Sequence, residues 1–567
     1  MKKRWKEKAG FARFMAPQGP SFIVHHLVRQ RGIDLADIGQ FITPNYERDL
    51  HDPFLFRDME RVVARIEAAR TRGECVGVLG DFDADGVTAS VIIRETLEAL
   101  GIKVLVHIPH KINEGHGLST QAVERFNQAG VRLILTLDCG MMNHTEIADA
   151  LALGMETIII DHHHVPAVLP PAWAIVNPKL PTDTYPFRDL CGAGTAFKVA
   201  TALYRRLLPD RVDELKWLLD IVAIGTVADV MPLVGENRVL VKYGLIVLQK
   251  TRRPGLQEMY LVGRIPIDET HIPDVRLIAF QIAPRINAAS RMAHAETAHE
   301  LLATMDRVKA RLLALELEGY NSARQKVSQA AAENVRAVAD LHFRDQKFII
   351  AIGPEYPLGI VGLVAGKIAH ELGKPTGVFQ KGETTSTGSF RSIPGFSIIH
   401  ALESCADLFE KFGGHEQAAG LTIRNDRFDI FLERFGTIVR EQLEGVETVP
   451  EILIDAELHP GDMTLELVQA IDDLAPFGEG NPQPVFQLSE LCIRTARTVG
   501  KDGQHWKLAL EHPAFPQAFD AVGWSMVAHY PDLGPGCQLS VLCQLESNVW
   551  SGRTTLQLKL LDMERTG

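Results

Sequence analysis

Four short apolar runs, Val76–Leu79, Val104–Ile108, Leu133–Leu137 and Thr157–Ile160, recur less than about 30 residues apart, with helix-compatible stretches between them. They are mostly β-branched and are apolar on both alternations. A strand of that kind needs cover on both faces. Alternation with helices supplies it, so these runs predict a parallel sheet between helical layers, with Ala174–Val176 as a further strand.

The remaining chain is organised around this unit. A length of 567 residues predicts two to four domains. Residues 1–70 read as an N-terminal helical segment, because Asp58–Ala69 has apolar residues at helical spacing. Residues 71–300 read as the first α/β domain, with helices over 191–250. The stretch 296–341 is rich in Ala, Leu, Glu, Arg and Gln and has no Pro, which predicts one or two long helices and a helical connector over 301–344. A second α/β domain over 345–447 carries the apolar runs Phe348–Ile352, Ile360–Ala365 and Leu421–Ile423. Over 448–567 the texture is all-β. Glu490–Ala496, Trp506–Glu511, Gln538–Leu545 and Thr555–Leu561 alternate, with Gly and Pro between them, as in a small OB-like barrel.

Bulk properties exclude several classes. Hydrophobic residues at 46% and charged residues at 23% are ordinary for a folded globular chain. Seven scattered cysteines without a CxxC read as reduced thiols, not a disulfide frame or zinc ribbon, and predict a cytoplasmic protein. The basic N-terminus lacks the apolar core of a secretory signal, and no run reaches the roughly 18 apolar residues of a membrane span. A net charge of −12 argues mildly against nucleic acid as a partner, but a local basic groove can sit on an acidic protein.

The chemistry sits where the strands end. The first run is followed by Gly80-Asp81-Phe82-Asp83-Ala84-Asp85-Gly86, the third by Asp138-Cys139-Gly140, the fourth by Asp161-His162-His163-His164, and a helical segment ends at Asp229. Ligands of open α/β sheets bind beyond the carboxyl ends of the strands, so these groups should converge on one crevice. Close carboxylates repel, and their burial costs several kcal/mol each unless cations compensate. Taken singly, a DxDxD is an exposed turn or calcium loop, a His tract is incidental surface, and Asp229 is a helix cap. An EF-hand is excluded because position 12 from Asp81 is not Glu, and zinc is disfavoured because no HExxH or Cys partner is present. Together, five Asp and two His make a mixed oxygen and nitrogen set suited to two ions of Mn²⁺ or Mg²⁺.

The four motifs resemble those of the DHH phosphoesterase superfamily in order and spacing. The resemblance implies Asp81, Asp83, Asp85, Asp138, His162, His163 and Asp229 as metal ligands, with Asp161 orienting a histidine. It implies catalytic roles for Asp83, Asp138, His162 and His163. Later segments narrow it: Ala283-Pro284-Arg285-Ile286-Asn287-Ala288-Ala289-Ser290-Arg291, Gly388-Ser389-Phe390-Arg391-Ser392, Gly413-Gly414-His415-Glu416-Gln417-Ala418-Ala419-Gly420 and Pro476-Phe477-Gly478-Glu479-Gly480-Asn481-Pro482 are similar to the RecJ family, and the likeness runs from Arg31-Gly32 to the last strands. That resemblance implies a DHH domain, a DHHA1 domain and an OB-fold. It also implies a two-metal-ion exonuclease that degrades single-stranded DNA from the 5′ end to 5′-mononucleotides, in repair and recombination. Lys111, Arg285, Asn287, Ser389, Arg391, Gly413, Gly414 and His415 are the expected substrate contacts, with His415 also catalytic. A single-strand-binding protein and a helicase are candidate partners.

Departures from the family pattern are visible. Pro109-His110-Lys111 lacks a usual Arg, His116 stands for a Tyr, Tyr356-Pro357 replaces a Trp-His pair, and Ser290 replaces a Gly. Two other readings stay open at this point: a phosphodiesterase of the superfamily acting on short oligonucleotides or cyclic dinucleotides, and a non-catalytic single-strand-binding relative. Trp506, Trp524 and Trp550 are candidates for base stacking or for core positions.

Overall fold

The computed structural model describes residues 3–111, 113–268, 273–445, 449–550 and 552–566. The chain forms two compact units: residues 51–231 with 243–448, and residues 1–50 with 232–242 and 449–567.

In the larger unit the apolar runs form a fully parallel sheet in the order Lys103–His107, Cys75–Gly80, Leu133–Leu137, Glu156–Ile160, Ala174–Val176. Val78 lies beside Val106 on one side and Leu135 on the other. The helix Ala84–Ala99 is buried almost all round its first ten residues, which is why its sequence lacks an amphipathic stripe. It packs against the helices Gly192–Leu207 and Leu219–Ala228. Phe126, from the helix Thr120–Gln128, fills the space over Gly77, where an added Cβ would lie 2.9 Å from its ring.

The helix Arg307–His342 runs for 36 residues from an Asp306 cap whose Oδ1 accepts from Val308 N at 2.8 Å. It contacts the helices Pro254–Gly263 and Ala283–Met292, and also Leu358–Leu372. Ala331, Ala332, Val335 and Ala339 pack into one core with Ile349, Ile360 and Val364. Small residues on that face let the helix lie close to its neighbours.

The second sheet has the order Phe409–His415, Ala418–Arg424, Thr385–Arg391, Thr376–Lys381, Ile349–Gly353. Only its last pair is parallel. Ile360–Ala365 is helical, inside Leu358–Leu372. The glycine-bearing motifs of this domain are strands: Gly388–Arg391 lies within one, and Gly413-Gly414-His415 ends another.

In the smaller unit, Phe486–Val499, His505–His512, Phe515–Gly523, Arg553–Arg565 and Gln538–Trp550 follow one another around a sheet that closes by pairing of the last with the first. This is a five-stranded barrel of OB type. Trp506, Leu508, Leu510, Leu539 and Val541 lie in its core.

The N-terminal expectation needs correction. Met59–Arg72 is helical as expected, but Arg4–Arg13 is a strand that pairs in parallel with Glu451–Glu457. Lys8 Nζ meets Asp455 Oδ1 at 2.8 Å, and Trp5 Nε1 donates to Asp562 Oδ2 at 2.8 Å. The strand's alternation is blurred by charge because it is an edge strand, and a partner some 440 residues away leaves no local signal. The following helix Pro20–Gln30 buries Ile23, Val24, Leu27 and Val28 in the same core as the barrel.

Candidate metal centre and active site

Each acidic group is delivered by the end of a regular element. Asp81 follows strand Cys75–Gly80. Asp83 caps the helix Ala84–Ala99, its Oδ1 accepting from Asp85 N at 3.0 Å and Gly86 N at 3.1 Å. Asp85, in the first turn, is held by a second helix: its Oδ2 accepts from Gly192 N at 2.6 Å and its Oδ1 from Ala193 N at 2.8 Å. Two glycines make room for it. A Cβ on Gly225 would lie 2.7 Å from Asp85 Oδ1, and one on Gly192 would lie 2.6 Å from Asp138 Cβ.

Asp138 follows strand Leu133–Leu137 with φ of 60°, a left-handed conformation that a non-glycine residue adopts only where its surroundings hold it. Asp161, His162 and His163 follow Glu156–Ile160. Asp161 Oδ1 accepts from His162 N at 2.7 Å, and pairs with His163 Nδ1 at 2.8 Å. Asp229 ends the helix Leu219–Ala228.

These side chains converge. His162 Nε2 is 3.1 Å from Asp138 Oδ1, 3.5 Å from Asp229 Oδ2 and 3.8 Å from Asp85 Oδ2. Three triads bring one donor atom of each member within 4.8 Å of the others: Asp138 with His162 and His163, Asp85 with His162 and Asp229, and Asp81 with Asp83 and Asp138. Asp138 and His162 each belong to two of them, so the sets adjoin.

The electrostatics favour a cation or bound protons at the cluster. Burial, then repulsion from Asp229 and Asp83, pushes Asp85 up to about 8. Burial and the neighbouring carboxylates raise Asp138 well above the usual carboxylate range, and burial with Asp83 raises Asp229 to about 6. Burial drives His162 down to about 3, leaving its imidazole neutral and able to ligate. His163 stands at about 9: burial lowers it, but the bond to Asp161 more than offsets this. Among the described residues, Asp81 Oδ1, Asp138 Oδ1 and both ring nitrogens of His162 are buried without a well-aligned hydrogen-bond partner. Orphaned buried donors and acceptors of this kind are rare in folded proteins. The donor set fits divalent metal ions that take oxygen and imidazole ligands.

A cationic group lies beside the carboxylates. Lys111 Nζ sits over the Phe82 ring at 5.1 Å. Burial, then the charge of Arg291, pulls Lys111 down to about 8, against the opposing fields of Asp81 and Asp83. Arg391 Nη1 donates to Ser389 Oγ at 2.7 Å, and its guanidinium lies over Gly362 in the first turns of Leu358–Leu372. Arg291 donates to Gly359 O at 3.2 Å in the same turn. Burial, then Arg324 and Arg391, lowers Arg291 to about 10.

Two expected substrate contacts have partners inside the protein. Arg285 is engaged inside the protein: Nε meets Glu318 Oε2 at 2.6 Å, Nη1 donates to Gln281 O at 2.7 Å and Nη2 to Gly263 O at 3.2 Å. Three of its five N–H donors are thus engaged within the protein. Asn287 Oδ1 accepts from Ala84 N at 2.9 Å, so that side chain braces the Asp81–Asp85 loop. Gly413, Gly414 and His415 lie exposed on a hairpin, and among the described residues no hydrogen bond or ion pair joins His415 to the cluster. Sequence reasoning does not place Arg291 or His116 at the site. Arg291 closes the Ala283–Arg291 motif, and His116 Nδ1 lies 2.9 Å from Asp81 Oδ1.

Comparison with known proteins gives this arrangement a family. Residues 75–226 match the DHH family, N-terminal domain; 345–441 match the DHHA1 domain; and 454–562 match the RecJ OB domain. The single-stranded-DNA-specific exonuclease RecJ of Bacillus subtilis is 33% identical over 542 residues, 95% of this chain and 67% of that protein. The chain belongs to the RecJ family. The RecJ of Escherichia coli is 32% identical over 521 residues, 88% of this chain and 89% of that one. The crystal structure of RecJ from Thermus thermophilus in complex with Mn²⁺ superposes with a TM-score of 0.80 at 28% identity, covering 100% of this chain and 80% of that chain. The family's DHH, DHHA1 and OB domains are thus all present, in the order the sequence implied.

Proposed function

We propose that this chain is a metal-dependent exonuclease that hydrolyses single-stranded DNA from the 5′ end to 5′-mononucleotides, in DNA repair and recombination. The observation that carries the reading is the juxtaposition of orphaned donor atoms on Asp81, Asp138 and His162 with the cations Lys111, Arg291 and Arg391. RecJ relatives have been solved with Mn²⁺ and with Mg²⁺, and the same ions suit this donor set.

Asp81, Asp83, Asp85, Asp138, His162, His163 and Asp229 would hold two ions. Such a pair activates water and stabilises the leaving oxygen in phosphoryl transfer. The chain's own residues do the rest. Asp161 fixes the ring of His163, as partners behind a ligand do. The backbone N–H groups of Gly192 and Ala193 hold Asp85 in one rotamer, so the carboxylates need not reorganise. Arg391, with Ser389 braced against it, offers a fork to a terminal phosphate, and Lys111 a point charge. A terminal phosphate bound there would hold the 5′ end beside the cluster. Gly413, Gly414 and His415, exposed on their hairpin, would contact the strand, with His415 at the scissile phosphate.

The barrel is the single-strand grip. Trp524 is 55% exposed, with its ring 4.8 Å from His505, and suits base stacking. Trp506 is core, its Nε1 donating to Tyr530 O, and the Trp550 side chain lies outside the described residues. A single-strand-binding protein and a helicase fit this activity as partners. Among the described residues no helix is long and apolar enough to cross a membrane, and a cytoplasmic site of action fits the reduced cysteines.

One time course tests the reading. An oligonucleotide labelled at either end is supplied single-stranded and as blunt duplex, with Mn²⁺, Mg²⁺ or EDTA. Immediate release of 5′-labelled mononucleotide, from the single strand alone and only with metal, is the expected result. Turnover of dinucleotides without cleavage of the strand would transfer the chain to the small-substrate phosphodiesterases. Binding without turnover would make it a non-catalytic relative.

A further inference from the structure

We propose that Lys179 binds the first phosphate on the 3′ side of the scissile bond, so that the strand is held on both flanks of the metal cluster. This deepens the exonuclease reading above and rests on it.

The parallel sheet places one lysine beyond each of its edges. The inner strands, Cys75–Gly80, Leu133–Leu137 and Glu156–Ile160, deliver Asp81, Asp138 and Asp161-His162-His163 from their carboxyl ends. The two edge strands lead instead to basic residues: Lys103–His107 to Lys111, and Ala174–Val176 to Lys179. Ligands of such sheets lie across the carboxyl ends of the strands. Strands about 4.8 Å apart set the two edges roughly 19 Å from one another. Stacked nucleotides rise only about 3.4 Å each, so several of them, not one, span that width. A strand lying across the sheet would meet the two lysines at different phosphates.

Lys179 sits on a braced turn. Asn177-Pro178-Lys179-Leu180 closes with Leu180 N donating to Asn177 O at 3.0 Å. Asn in the first place and Pro in the second both favour such a turn. The buried Asn177 side chain ties it to the cluster: Oδ1 accepts from Lys179 N at 2.8 Å, and Nδ2 donates to His163 O at 3.1 Å. The backbone of Lys179 is thus fixed beside the histidines. Its half-buried side chain makes no hydrogen bond or salt bridge among the described residues. Burial is the largest influence on both His162 and Asp229, and after their nearer neighbours Lys179 is the lysine or arginine whose charge reaches both. At Lys111 burial is followed by Arg291, then by Asp81 and Asp83. One cation thus faces the Asp81 edge of the cluster and the other the His162 and Asp229 edge. Lys111 and Arg391 suit the terminal phosphate, which leaves to Lys179 the phosphate beyond the scissile one.

The test compares wild type, Lys179→Gln and Lys179→Arg in Mn²⁺ on a 5′-phosphorylated dinucleotide, a trinucleotide and long strands. The dinucleotide carries only a terminal and a scissile phosphate; the next phosphate first exists in the trinucleotide. Lys179→Gln keeps the backbone N–H that Asn177 holds and removes the charge. Its KM should rise about tenfold for the trinucleotide and longer strands, with kcat and dinucleotide turnover within about twofold of wild type. Lys179→Arg should restore the KM for long strands. A neutral methylphosphonate at the third phosphate should cost wild type the same factor and cost Lys179→Gln nothing further. An unchanged KM for Lys179→Gln on long strands overturns the proposal. So does an equal loss on the dinucleotide, or additive losses from the variant and the methylphosphonate. Failure of wild type to cleave any strand would sink the exonuclease reading itself, a result distinct from failure of Lys179 alone.

Discussion

The Nε2 atom of His162 lies 3.1 Å from Oδ1 of Asp138, and neither atom has a hydrogen-bond partner among the described residues. Such a pair is costly to bury, by about 1–3 kcal/mol per unsatisfied group. Its persistence makes sense if an ion occupies the space the two atoms face. Asp138→Asn should therefore lower kcat by at least about 100-fold, on the order of 3 kcal/mol or more. The same change replaces a carboxyl whose ionisation burial and its acidic neighbours oppose, so the metal-free variant should melt no lower than wild type. A loss of melting temperature equal in EDTA and in Mn²⁺ would mean that Asp138 is structural.

Metal removal should invert the pH dependence of stability. Asp85 at about 8 and Asp229 at about 6 are raised above their unfolded values. The folded metal-free chain thus holds protons that the unfolded chain has released, and stability falls as pH rises from about 4 toward 8. Protons and metal compete for the same oxygens, so the gain in melting temperature on adding Mn²⁺ should grow over that window. Thermal melts at pH 6 and pH 8, with EDTA and with Mn²⁺, check the sign.

Arg391 and Arg285 should separate cleanly. Arg391→Ala should reduce the preference for a 5′-phosphorylated end by about tenfold or more, the worth of one charge-assisted hydrogen bond. Arg285→Ala should leave that preference intact while lowering stability by about 1–3 kcal/mol, because Glu318 and two carbonyls lose their partner. Competition between phosphorylated and unphosphorylated strands, beside urea melts, reads both.

Trp524→Ala should weaken binding to long single strands by about 1–3 kcal/mol and leave the melting temperature near wild type, since the side chain is exposed. Trp506→Ala should do the reverse, destabilising the barrel through loss of a buried ring. Fluorescence anisotropy with a long labelled strand distinguishes the two.

The metal cluster was legible because its chemistry is written into short local motifs. Asp81, Asp83, Asp138, His162 and His163 each follow a strand that announces itself by β-branched residues. The support of that cluster was not legible. Asp85 is locked by Gly192 and Ala193, more than 100 residues away, a pairing with no local trace. Arg285 and Arg291 lie in one motif six residues apart, which on a helix points them about 120° apart. The motif alone cannot say which of the two faces the carboxylates; packing against Glu318 decides it. The glycines of the second sheet answer in part to close neighbours that the sequence does not show: a Cβ on Gly388 would meet Phe379 and a Cβ on Gly414 would meet Ala419.

The pairing of Arg4–Arg13 with Glu451–Glu457 has a consequence for biosynthesis. The strand leaves the ribosome early, yet its hydrogen-bonding partner is translated hundreds of residues later. Residues 51–231 with 243–448 make up a unit of their own, and most of it emerges while the first strand is still waiting. Domains made during synthesis fold as units. The early strand must therefore stay extended and soluble through most of elongation, a task for which its five charged residues equip it. A chain cut before residue 450 leaves that strand, and the helix behind it, without the surface they are built to cover.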